Sequence, residues 1–362
     1  MYQDELLLIA TATTTITEKL ATATLADGSA SDLSKYDYKN LEPYVHPPET
    51  KEKLNWAELV TLDLEDYNRE GGKERLAKQL EHAVHHVGFF YVKNYGLSQE
   101  EVDHQFTLAK NFFALPTDEK ALDNAEIYNT PKFTEDFEGK YQQPDLLKAH
   151  LPEIEHFSKT LHSNVVLPLL SLFAIILQLS DEDYLVKQLT YEQKSEDYFR
   201  YMLGGGLGNG HTDLGTVTFL FRQPIAGLQI LGDDGNWTWI SAQPGTITVN
   251  LADTISHLTG GWLKSSVHRV VTPPKDQWGY DRTGLLYFAR PHNETVLNPL
   301  DSPVLPAAGV TSRFEKPVTV EQWVKAKRMI QLNPDIAAKR WAEAGDGTVE
   351  VLAGFRGRKY KE

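Results

Sequence analysis

The chain has 362 residues, 41% hydrophobic and 10% aromatic, enough for a sizeable core in one large domain or two ordinary ones. Its 36 Lys and Arg stand against 50 Asp and Glu, a formal charge of -14 that repels a phosphate backbone, so no nucleic-acid partner is expected. The absence of cysteine excludes disulfides, thiolate metal sites and a cysteine nucleophile, and leaves any metal to His, Asp or Glu.

"MYQDELLLIA" has an acidic approach to a short apolar run instead of a basic region before a long one, so no signal peptide is expected and a cytoplasmic location is. Residues 1–55, Thr/Ala-rich and then polar, predict an irregular or partly helical extension. "LVTLDL" (Leu59–Leu64) alternates like a short strand. Leu76, Leu80, Ala83, Val84 and Val87 then recur at helical spacing, Gly88 stands where a C-capping glycine belongs, and "FFYV" follows as a strand. Ser98 and Glu101 form a capping box for a helix with Val102, Phe106, Ala109 and Phe113 on its apolar face, ending near Pro116. The longest apolar stretch, Val165–Leu179, is shorter than a bilayer span and carries Pro168 and Ser171; it predicts a buried helix and no membrane association.

From Tyr198 the pattern turns to strands: "YFRYML", "TVTFLF", "GLQIL", "WTWISA", "TITVNL", "SSVHRVV" and "GLLYFAR". Seven short strands split by Gly, Asp-Gly and Pro turns indicate an all-β sandwich or barrel. Thr319 and Gln322 then cap a helix bearing Trp323, Val324 and Ile330, and "PDIAAKRWAEA" predicts another. The basic tail Arg356, Arg358, Lys359 and Lys361 is too short for a binding face and is expected to be a solvated end. The expected organisation is an extension (1–55), a helical N-terminal region (56–195), a β core (196–295) and a C-terminal helical segment (296–362), all one integrated domain.

"LGGGLGNGHTDLGTVTFLF" (Leu203–Phe221) offers two kinds of chemistry. A phosphate-binding loop needs a helix opening directly after the glycines; here a β-rich run follows, so these glycines serve a tight turn beside His211 and Asp213. On a strand, residues i and i+2 share a face, which places an imidazole and a carboxylate side by side. A third ligand has to come from another strand, and His268 in "KSSVHRVV" is the candidate, with 54 residues between it and Asp213. Two histidines and one carboxylate leave three metal positions open, the arrangement of non-haem Fe(II) oxygenases. With 12 His and 50 acidic residues such triplets also arise by chance, and "HNE" (His292, Glu294) is a second one. His85 and His86 belong to a helix, and His46, His150 and His156 show no partner. Arg282 opens "RTGLLYFAR"; it either clamps a carboxylate or pairs with Asp281 or Asp276 at the surface.

These residues resemble the Fe(II)/2-oxoglutarate-dependent dioxygenases of the isopenicillin-N-synthase-like type, over about Leu59 to Arg290. The resemblance is carried by "GFFYVKNYG" (with Tyr95 where the family has His), "FFALPTDEK", "GHTDLGTVTFLF", "GLQIL", Trp237, Pro244–Gly245, "VNLADTISHLTGG" and "KSSVHRVVTPP". It implies a mainly β chain with a double-stranded β-helix (jelly-roll) core flanked by N- and C-terminal helices. It also implies Fe(II) on His211, Asp213 and His268, 2-oxoglutarate and O2 as co-substrates, and Arg282 as the residue binding the distal carboxylate of 2-oxoglutarate. The family's Arg-x-Ser reads Arg282-Thr283-Gly284 here, and "FRYMLGGG" stands where plant enzymes have Asn-Tyr-Tyr-Pro, with Tyr201 as the substitute contact. No catalytic residue is expected beyond the metal site. The implied activity is hydroxylation, desaturation or ring rearrangement of a small organic molecule, with a specialised metabolite as the expected substrate. The alternative is an iron-dependent oxidase of the same fold that dispenses with 2-oxoglutarate. The sequence leaves the oligomeric state and the substrate open.

Overall fold

The computed structural model describes residues 32–116, 127–141, 143–204, 210–333, 339 and 348–358. Strands β1 (Thr61–Asp63), β2 (Phe89–Lys93), β3 (Ile127–Pro131), β4 (Tyr198–Leu203), β5 (Val217–Phe221), β6 (Leu228–Leu231), β7 (Trp237–Trp239), β8 (Thr246–Leu251), β9 (His268–Val270) and β10 (Thr283–Ala289) form two sheets. The larger runs β1-β2-β8-β5-β10-β4-β3 and the smaller β7-β6-β9. Among these described strands only β1 and β2 pair in parallel; every other ladder is antiparallel. This is the double-stranded β-helix, with helices packed outside the large sheet.

The strands' alternation decides what faces what. In β8 Ile247, Val249 and Leu251 enter the large core against the helices, leaving Thr246, Thr248 and Asn250 on the opposite face. β2 splits likewise: Phe90 and Val92 face the helices, while Phe89 and Tyr91 join Leu228, Ile230 and Ile240 in a small apolar cluster between the sheets. Helices α1 (Gly72–His82), α2 (Gln99–Ala114), α3 (Asp145–Leu161), α4 (Leu167–Ile176) and the short α5 (Tyr184–Lys187) cover the outer face.

The capping signals translate directly into helix ends. Ser98 and Glu101 make their reciprocal bonds at the start of α2. A π-helical turn prolongs α1 to Val87, and Gly88 ends it at φ 74°, where a Cβ would meet the Lys264 carbonyl oxygen at 2.4 Å. The predicted buried helix is α4, which continues α3 through a second π-helical turn. Joined through that turn, Asp145–Ile176 is by length and composition long and apolar enough to cross a membrane; 72% of its most apolar window is buried inside the protein.

Three features depart from the sequence-based picture. The region 56–195 supplies the unexpected β3 to the large sheet along with the expected strands β1 and β2, so the core is not confined to residues 196–295. After α6 (Asp253–Leu258), α7 (Val304–Ala307) and α8 (Val320–Leu332), the C-terminal segment folds into a hairpin of β11 (Thr348–Leu352) and β12 (Phe355–Arg358) where a helical segment was expected; Arg356 is exposed there, and Lys359 and Lys361 lie outside the described residues. His211–Asp213 is no strand: His211 makes a single β-bridge and the next residues form a loop leading to β5. Most of the glycine loop (205–209) and of the predicted helix 334–344, as well as residues 1–31, lie outside the described residues.

Candidate metal centre

His211 and His268 face each other across that one bridge. Each backbone N–H donates to the other's carbonyl oxygen at 2.9 Å, and the ring centroids lie 4.4 Å apart. Reciprocal bonding of this kind brings opposed side chains to the same side, so one bridge achieves what a full strand was expected to do. Asp213 turns back toward both: its Oδ1 is 3.8 Å from His211 Nε2 and 3.7 Å from His268 Nε2. One ligand atom from each residue lies within 4.8 Å of the others, and among the described residues no other such group of three occurs.

The surroundings prepare these atoms. His268 Nδ1 lies 3.1 Å from the Ser266 carbonyl oxygen, which calls for a proton on Nδ1 and turns Nε2 toward Asp213. Asn250, on the inner face of β8, donates to Asp213 Oδ2 at 2.9 Å, leaving Oδ1 toward the imidazoles. Burial favours the protonated Asp213, but the two histidines, Asn250 and Thr218 outweigh it and hold the carboxyl well below its ordinary range. Lys327 of α8 donates to the carbonyl oxygen and hydroxyl of Thr212 at 2.7 and 2.8 Å and pairs with Asp253. The Asp253 N–H in turn donates to the Asp213 carbonyl oxygen at 2.9 Å. The ligand loop is thus gripped from α6 and α8.

Arg282 precedes β10 in a buried position beside Gly227 and the small cavity lined by Leu220, Ile240 and Thr248. It pairs with neither Asp281 nor Asp276; the latter accepts from Thr50 and the Lys51 N–H. Its Nε and Nη1 have no hydrogen-bond partner, and burial pushes the guanidinium down to about 10, still charged at neutral pH. A buried cation with unused donors is costly unless an anion joins it.

Tyr201 does not join the site, a correction to the sequence-based assignment. It pairs with Leu285 in the β4–β10 ladder, on the helix-facing side, and donates to Gln105 Oε1 at 2.8 Å. The period of two puts Tyr198, Arg200 and Met202 on the inner face instead. His46, His150 and His156 do meet carboxylates, from Asp103, Glu153 and Glu101, as structural pairs away from the ligands. Asn250 and Lys327 went unnoticed in sequence. A polar residue on the strand "TITVNL" is a signal for the first; nothing local marks the second.

Residues 59–149 match the family described as non-haem dioxygenase in morphine synthesis N-terminal, and residues 185–291 match the 2OG-Fe(II) oxygenase superfamily. A 2-oxoglutarate-dependent dioxygenase, frbH, from Dothideomycetidae sp. is 30% identical over 288 residues, spanning 68% of this chain and 86% of the relative. The chain belongs to the 2OG-Fe(II) oxygenase superfamily. The oxygenase also shares its fold with solved structures. A putative 2OG-Fe(II) oxygenase family protein from Caulobacter crescentus has TM-score 0.65 and 21% identity, covering 76% of this chain and 99% of the other. The dioxygenase for auxin oxidation in rice has TM-score 0.58 and 16% identity, covering 75% and 95%. Oxygenases of this family use Fe(II), 2-oxoglutarate and O2. A His-Asp-His donor set and an unpartnered buried guanidinium suit the first two.

Proposed function

We propose that the chain is a 2-oxoglutarate-dependent Fe(II) dioxygenase that hydroxylates, desaturates or rearranges a small organic molecule of specialised metabolism. In this reading His211, Asp213 and His268 hold the iron and Arg282 anchors 2-oxoglutarate. The observation that carries it is the convergence of three ligand atoms within 4.8 Å, although His268 stands more than fifty residues from the other two in sequence. Bound Fe(II) supplies the activation of O2 that couples decarboxylation of 2-oxoglutarate to oxidation of the second substrate.

The chain's own residues do the rest. Asn250 and the Ser266 carbonyl orient Asp213 and His268, so little reorganisation accompanies metal binding. Arg282 meets the distal carboxylate with a charge-assisted pair that its unused Nε and Nη1 can complete. Phe89, Tyr91, Leu228 and Ile230 keep water out from between the sheets.

Gly284 keeps the oxidase alternative alive, because the family's serine hydroxyl is missing beside Arg282 and the room at Gly284 is bounded by Leu286 and Met202. Release of labelled CO2 from 2-oxoglutarate across a panel of small substrates decides between the two. Substrate-stimulated release that disappears in Asp213→Ala is expected. Turnover without release favours the oxidase, and full activity in Asp213→Ala removes the metal assignment altogether.

A further inference from the structure

One cation on the inner face takes no part in the centre described so far. Arg200 of β4 stands in register with Leu286 of β10 on one side and Asn129 of β3 on the other, and Leu286 pairs onward with Leu220 of β5. The neighbouring row on the same face is Thr218, Phe288 and Tyr198. That row continues from Thr218 to Asn250 of β8, which donates to Asp213. With strands about 4.8 Å apart, β4 lies roughly 10 Å from β5, the strand the ligand loop leads into, the length of a small substrate.

The Arg200 side chain is held as a recognition group would be. Its Nε donates to Asn129 Oδ1 at 2.8 Å and one Nη donates to the Tyr198 hydroxyl at 3.3 Å. The guanidinium carbon lies 4.9 Å from the Phe288 ring centroid and 5.1 Å from that of Tyr198. Among the described residues no carboxylate pairs with it. Arg290, which also reaches Tyr198, by contrast pairs with Glu196 at 3.0 Å, a carboxylate it shares with Arg328. Two of the five guanidinium donors are therefore spent on positioning the fork, and the outer edge remains for an acceptor with two oxygens. A chain with a charge of -14 repels anions at long range, so an anionic substrate needs a local cation at the site mouth.

We propose that Arg200, oriented by Asn129 and Tyr198, is the substrate-recognition residue, and that the substrate is a small organic acid. Its carboxylate pairs with Arg200 while its apolar body lies along Leu286 and Phe288 toward the ligand cluster. This rests on the iron-site assignment given above.

The test is anaerobic binding calorimetry on the full chain with Fe(II) and saturating 2-oxoglutarate, which occupies Arg282. Cinnamate and 2-naphthoate are each compared with their methyl esters. At least one acid is expected to bind ten-fold or more tighter than its ester. Arg200→Gln should abolish that preference with the circular dichroism spectrum unchanged, and Arg200→Lys should retain part of it. Acids and esters binding alike, no binding by either acid, or a preference that survives in Arg200→Gln overturns the proposal. If 2-oxoglutarate decarboxylation persists in that case, only the Arg200 assignment falls. Loss of decarboxylation in the unaltered chain would fall on the functional reading instead.

Discussion

Arg282 poses the sharpest question a single residue raises in this fold. A charged group buried without an acceptor costs several kcal/mol, so its persistence argues for an anionic ligand that completes it. Arg282→Gln is expected to raise the KM for 2-oxoglutarate at least ten-fold while Fe(II) binding is nearly unchanged; steady-state kinetics and metal titration check both. Asn250 acts one bond further out. Asn250→Ala frees Asp213 Oδ2 and should weaken Fe(II) binding by about 10- to 100-fold, measured by anaerobic titration with secondary structure monitored in parallel. The sequence pattern alone marks His211, Asp213 and His268, because side-chain chemistry and spacing suffice to nominate ligands. Tyr201 shows the limit of that approach. An aromatic at the expected distance from the ligand loop faces the helices because the register of β4 turns it there.

At the scale of elements, the ligand loop owes its shape to neighbours distant in sequence. Lys327 reaches from α8 to Thr212 and Asp253, tying a C-terminal helix to the metal ligands. Removing it strands Asp253 in a buried site, so Lys327→Met should cost about 3 kcal/mol of stability and lower kcat several-fold with the KM for 2-oxoglutarate little altered. Lys327→Arg should restore part of both, read by urea unfolding and kinetics. All seven strands expected from Tyr198 onward are present, because alternation of Ile247, Val249 and Leu251 with Thr246, Thr248 and Asn250 is a property of the chain itself. β3 and the β11–β12 hairpin escaped notice: their short segments lack a strong period, and their strand character comes from pairing.

For the molecule as a whole, two buried histidines link folding to pH. His162 accepts or donates only within the core, and His257 is packed among Phe314, Trp323 and Phe355 with both ring nitrogens unbonded. Burial lowers each to about 3 from an ordinary 6.5. Between those values the unfolded chain binds more protons than the folded one, so their contribution is complete above about pH 6.5 and fades as pH falls toward 3. The slope is about 1.4 kcal/mol per pH unit for each group. The urea midpoint should drop between pH 7 and pH 5, and His257→Leu should flatten that drop; an equal slope in the variant would contradict the assignment.

Composition, alternation and a few chemically distinctive side chains were enough to indicate a β-rich core, most of its strands and three candidate ligands, since each of these is written in residue order, while the double-stranded β-helix was implied by the family resemblance. The pairing of His211 with His268, the isolation of Arg282, the turning of Tyr201 away from the site and the hold of Lys327 on the loop were decided only in three dimensions. Each depends on register, burial or a contact between segments far apart in the chain, and hydrogen bonding and desolvation act on those distances whatever the spacing along the sequence.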